Sequence, residues 1–134
     1  MIANSLAGLP AFASYYAVAA VLSALFVLIY TAITPFHEID LIRQGNAAAA
    51  IEIGMALIGF SIPLASAIFH SANVIDCVIW GAVALVTQLI AYGVARLTIP
   101  NLVEEIGKAH IAPAIWLGCI SLASGVMSAA CMSY

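Results

Sequence analysis

Glu52 and Gln88 are the residues whose type and position could do chemistry, because each interrupts a long apolar stretch. Glu52 comes about seven residues into its run, near 10 Å from the start of that run at helical rise. Gln88 precedes Arg96 by eight residues, which puts it at a similar depth on a helix face shared with Gly81, Ala84 and Ala95. A hydrogen bond between the two is within reach, and with Ser23 and Thr87 they could line a path for an ion. An ionisable group at such depth in a membrane is costly and is a functional candidate by default. The plainer alternative has Glu52 protonated or snorkelling to the interface, and Gln88 joining two helices by a bond of about 0.6–2 kcal/mol. An ion path normally needs several polar groups at successive depths, which favours the plainer alternative.

Other chemistry has no visible apparatus. No Ser-His-Asp order, HExxH, glycine-rich phosphate loop or paired carboxylates can be assembled, so the chain is not expected to be an enzyme. Cys77, Cys119 and Cys131 form no CxxC pair and have no His at ligand spacing. Neither metal nor cofactor is expected, and buried free thiols are the default, with a Cys77–Cys131 bridge as the alternative. His70 and Asp76 could sense pH, though isolated loop residues rarely do. Only 7% of the residues are charged, which leaves no basic surface for nucleic acid.

The elements that must position these residues are apolar helices. At 66% hydrophobic, the 134-residue chain lies far from soluble composition. Four runs, about 12–34, 46–69, 75–97 and 109–131, each approach the roughly 20 residues that cross a bilayer as a helix. Unbroken apolar runs lack the alternation of a barrel. No Lys or Arg precedes the first run, which argues against a cleaved signal peptide.

All three cations border two links of like parity: Arg43 between spans one and two, and Arg96 and Lys108 between spans three and four. The positive-inside rule makes both links cytoplasmic and both termini external. Prolines at Thr34-Pro35 and Ile99-Pro100 can open new helices, so Phe36 to Gln44 and Asn101 to Lys108 are expected as short interfacial helices. Glu38, Asp40, Glu104 and Glu105 then read as solvated faces, the pairs Asp40/Arg43 and Glu104/Lys108 having helical spacing. Arg43 and Arg96 read as snorkelling anchors, or as contacts to lipid head groups. Asn46 and His110 begin spans two and four as caps. Pro63 should kink span two, with Ser66 satisfying a freed carbonyl. Tyr15, Tyr16, Trp80 and Tyr134 read as an outer aromatic belt, and Tyr30, Phe36 and Tyr92 as an inner one.

A shift of 64 residues superposes Ile42, Ala48, Ala50, Ile51, Gly54 and Ala65 on Ile106, Ala112, Ala114, Ile115, Gly118 and Ala129. The expected fold is therefore all-α: four transmembrane helices from two tandem two-helix repeats, about 12–70 and 75–134, entering the membrane in the same direction within one domain. Ala50, Gly54, Ser61 and Ala65 cluster on one face of span two, and Ala114, Gly118, Gly125 and Ala129 on one face of span four. Small residues let backbones approach closely in lipid, so these two faces are expected to meet. A second small stripe on span two, from Gly45 through Ala49, Glu52, Ala56, Gly59 and Pro63 to His70, lies opposite. A helix small on two faces is central or meets another subunit, and homo-oligomerisation is the expectation.

Thr34-Pro35, Glu38, Leu41-Ile42, Gly45-Asn46, Pro63-Leu64, Trp80-Gly81, Gln88-Leu89, Arg96 and the terminal Ala129-Ala130-Cys131-Met132 together resemble the YjfL-like small bacterial inner-membrane proteins, over nearly the whole chain. The resemblance implies a multi-pass inner-membrane protein of duplicated two-span units, with no established activity, and hints at a membrane-stress or other cytoplasmic partner. Glu52 departs from that pattern, and Ser128 stands where Asn is expected. The favoured function is a non-enzymatic oligomeric scaffold or partner subunit in the lipid bilayer. The alternative is a small channel or ion-linked transporter with Glu52 and Gln88 near its pathway.

Overall fold

The computed structural model describes residues 2–33, 38–99 and 102–132, all helical or in short turns. The expectations for Thr34, Pro35, Phe36, Pro100, Asn101 and Tyr134, and for the side chains of Glu38, Leu102 and Val103, fall outside the described residues. Among the described residues seven helices follow in order: α1 (Ile2–Leu6), α2 (Leu9–Ile33), α3 (Glu38–Arg43), α4 (Ala47–His70), α5 (Val74–Thr98), α6 (Leu102–Gly107) and α7 (Ile111–Cys131). Among the described residues four stretches are long and apolar enough to cross a membrane: Ile2–Ile33, Ala47–His70, Val74–Thr98 and Ile111–Cys131. The short helices α3 and α6 occupy the two links, as their mixed composition requires.

Local chemistry sets the boundaries. Asn46 caps α4 by accepting the Ala49 amide at 3.1 Å. At α5, Asn73 accepts the Asp76 amide at 2.8 Å while Asp76 accepts the Ala72 amide at 3.2 Å, an exchange that satisfies two orphan donors. The ends of α3 and α6 are built alike. Gly45 (φ 86°) and Ala109 (φ 64°) both take the left-handed conformation. Their amides return to Ile42 and Ile106, and the following amides of Asn46 and His110 return to Leu41 and Glu105. These bonds close a Schellman turn twice, 64 residues apart.

The centre of the bundle is α4, which touches α2, α3, α5, α6 and α7 and packs most extensively on α7. That contact is made backbone to backbone. A Cβ placed on Gly125 would stand 2.0 Å from the Gly59 carbonyl oxygen, and one on Gly59 would stand 2.5 Å from that of Ser121. Spans two and four thus meet, but on α4 the face in contact is the second stripe and not the first. Ala56, Gly59 and Pro63 are buried, whereas Ser61 and Ala65 are exposed and Gly54 opens on empty space. Ala50 is half-buried. On α7 the expected residues Ala114, Gly118 and Gly125 are buried, and Ala129 is half-buried. The physical reason is the company of Glu52 and Gly59. Turning that side inward buries the carboxyl and leaves the narrowest part of the helix for close approach.

Candidate functional site

Aromatic side chains assemble the polar centre. Phe26 and Tyr30, four residues apart on α2, present one face. The ring of Phe26 stacks on Phe60 of α4 at 4.7 Å, and Tyr30 meets Tyr92 of α5 edge-on at 5.2 Å. These contacts aim the Tyr30 hydroxyl at Glu52, whose Oε1 accepts its hydrogen bond. Glu52 is wholly buried. Tyr30 and Tyr92 therefore belong to the core and not to an interfacial belt. At the end of this row, the guanidinium carbon of Arg96 lies 5.9 Å from the Tyr92 ring centroid while its side chain remains exposed.

Gln88, also buried, does not bond Glu52. Its Nε2 donates to the Gly59 carbonyl at 3.0 Å. That carbonyl lies four residues before Pro63, which has no amide hydrogen to offer it. Gln88 thus replaces, from another helix, the bond that the proline removes. Ser66, the residue expected to do so, instead donates to the Ala129 carbonyl at 3.1 Å and ties α4 to α7. The Gln88 Oε1 atom is buried with no partner among the described residues. Thr87 donates to Val83 within its own helix and faces a groove between α5 and α7. Ser23 is half-buried on α2. Neither extends the Glu52 and Gln88 pair into a row.

A second polar locus lies where the links meet. Asn46 Nδ2 donates to the Ile106 carbonyl at 3.1 Å, so the cap of α4 also binds α6. His110 begins α7 without a side-chain cap bond and instead donates from Nδ1 to the Glu105 carboxylate. That hydrogen bond holds the Glu105 carboxyl below its ordinary range against an opposing desolvation, and the His110 and Lys108 charges add to the lowering. Arg43 and Lys108 are exposed, and neither Asp40/Arg43 nor Glu104/Lys108 forms an ion pair among the described residues. His70 turns back on Ser66, and Asp76, in the first turn of α5, accepts the Ala72 amide. The thiols are free, but only Cys77 is buried; Cys119 and Cys131 are exposed.

Sequence reasoning missed Tyr30 as the partner of Glu52. The signal was present, since Tyr30 precedes the end of span one by about as far as Glu52 follows the start of span two. Chemically, the centre is a hydrogen-bonded carboxyl among aromatic rings, beside a carboxamide committed to backbone.

The family model described as Domain of Unknown Function (DUF350) matches residues 4–132. The inner membrane protein YjfL of Escherichia coli K12, a UPF0719 protein, is 36% identical over 124 residues, covering 92% of this chain and 94% of the relative. The transmembrane protein YshE of Bacillus subtilis 168, also UPF0719, is 26% identical over 89 residues, 66% of each chain. No solved structure matches. Family model and relatives coincide with the helical region just described, and the chain belongs to the DUF350 family.

Proposed function

We propose that this chain is a non-enzymatic multi-pass protein of the inner membrane that associates with itself as a scaffold or partner subunit. The observation that carries the reading is the α4–α7 contact, in which Gly59 and Gly125 leave no room for even a methyl group. A bundle joined so closely along its axis favours rigid packing over a column of water. The buried polar groups agree with it, because Asn46 and Gln88 both bond backbone of a neighbouring helix. In lipid, such bonds and small-residue contacts are what hold helices together. The paired Schellman turns support a duplicated hairpin. Arg43, Arg96 and Lys108 support cytoplasmic links, with both termini periplasmic. The relative's inner-membrane description supports the location. A membrane-stress or other cytoplasmic partner would meet the chain at α3 and α6.

The mass of the protein held in lipid nanodiscs tests this reading: a multimer is expected, and a monomer at all concentrations rejects it. A second reading, a small channel or ion-linked transporter, is favoured by the buried Glu52 carboxyl and by Gln88 Oε1, which has no partner among the described residues. Ion flux into liposomes that disappears in Glu52→Ala and Gln88→Ala would establish it in place of the scaffold; no flux for common ions removes it.

A further inference from the structure

We propose that copies of this chain join head to tail, the uncovered α4 face of one copy seating on the uncovered α7 face of the next just as its own α7 seats on its own α4. The inference rests on the duplicated, self-associating reading above and names the surfaces. The internal contact is heterologous: α7 uses Gly118, Ser121 and Gly125, whereas α4 uses Met55 and Gly59. If the two halves are copies, each half owns both faces, and one face of each is still unoccupied.

The mates 64 residues apart bear this out on both sides. Ile106 is 1% exposed beneath Asn46, but its mate Ile42 is 37% exposed. Gly118 is filled by Met55, but its mate Gly54 has nothing within 4 Å. Gly125 is buried and its mate Ser61 exposed. On the complementary side, Glu52 is 0% and its mate Trp116 46% exposed. Pro63 is buried, whereas its mate Met127 is 63% exposed. Between α5 and α7 runs an open apolar groove of about 390 Å³, lined by Ile90, Val94, Ala123 and Met127 among others. Among their mates, Gly59 meets Ser121 and Gly125 of α7 and Pro63 is buried beside it, while Phe26 and Tyr30 meet Phe60 of α4 and Tyr92 of α5.

The groove is therefore the second half's version of an interface already occupied in the first. A second copy is the occupant because its Gly54 face is the sequence mate of the Gly118 and Gly125 face that seats on Met55 and Gly59. Both halves would enter the bilayer in one direction, so copies related in this way share a membrane orientation, and a head-to-tail contact repeats until a ring closes.

Native Cys119 makes the proposal testable, since it is the mate of Met55 and exposed. In the internal contact a Cβ on Gly118 would lie 2.8 Å from the Met55 Cβ. The mate pair Gly54 and Cys119, on adjacent copies, should fall within a small shift of disulfide range. Gly54→Cys in the full chain has open space for its side chain, so folding is preserved. Oxidation in native membranes, read on a non-reducing gel, should give a ladder at successive multiples of the chain mass, lost in Gly54→Cys/Cys119→Ser. A dimer alone that survives Cys119→Ser means a two-fold contact and overturns the proposal. So does linkage no greater than that of Val21→Cys on the exposed side of α2. A nanodisc multimer without the Gly54–Cys119 link sinks only this arrangement, whereas a monomer sinks the self-associating reading as well.

Discussion

Replacing Gln88 with Leu bares the Gly59 carbonyl, because Pro63 has no amide to take over. A buried acceptor left without its donor costs about 1–3 kcal/mol. The single variant will display less than that, since the buried Oε1 of Gln88 leaves with the same substitution. A double-mutant cycle with Pro63→Ala removes this ambiguity. The new alanine supplies a backbone N–H four residues after Gly59, so in that background Gln88→Leu no longer strands the carbonyl. The relief of Oε1 is common to both backgrounds and cancels. The expected coupling is about 1–2 kcal/mol, with Gln88→Leu more harmful beside Pro63 than in the Pro63→Ala background. Reversible unfolding of the four proteins in mixed micelles, titrated with a denaturing detergent, measures it. Additivity within about 0.5 kcal/mol would refute the claim that Gln88 serves the carbonyl freed by Pro63.

Gly125→Ala should destabilise the bundle by more than about 2 kcal/mol, since its methyl would meet backbone and not a flexible side chain. Gly93→Ala, with open space around it, should be neutral or stabilising by up to about 1 kcal/mol in the same unfolding assay. Ala109→Gly relieves a left-handed alanine and should stabilise by about 0.5–1 kcal/mol, after the greater flexibility of glycine in the unfolded chain is deducted. Because His110 lowers the Glu105 pKa in the folded state, that contact stabilises above the ordinary carboxylate range and is lost as pH falls through the depressed value. Proteolytic or exchange protection at the α6–α7 junction should therefore weaken on acidification in the wild type, and be flat with pH in Glu105→Gln.

The spans were legible because their lengths and apolar continuity are local properties. The short link helices followed for the same reason, with Ile39, Leu41 and Ile42 alternating with charges in a stretch too brief to span. Which side of α4 meets α7 was not legible. Two small-residue stripes satisfy the same requirement for close approach, and the choice between them depends on what else must be buried, namely Glu52 and Pro63. Gln88 reads from the sequence as polar and deep, but its partner requires knowing that α5 runs beside the proline. That Pro63 frees the carbonyl of residue 59 follows from helical hydrogen bonding alone. Which helix supplies the replacement is a property of the packed bundle. Tyrosines near span ends usually sit in an interfacial belt, but the burial of Tyr30 is imposed by Tyr92, Phe26 and the carboxyl it serves.

The bond from Gln88 to Gly59 also bears on biogenesis. During membrane insertion, α4 emerges before α5, carrying an exposed acceptor that nothing in its own helix can quench. Residues 1–70 on their own would leave that acceptor in hydrocarbon, so the first two spans depend on α5 for completion. Because α5 follows α4 in the same chain, delivery of the donor that quenches the acceptor is a matter of translation order and not of chance encounter.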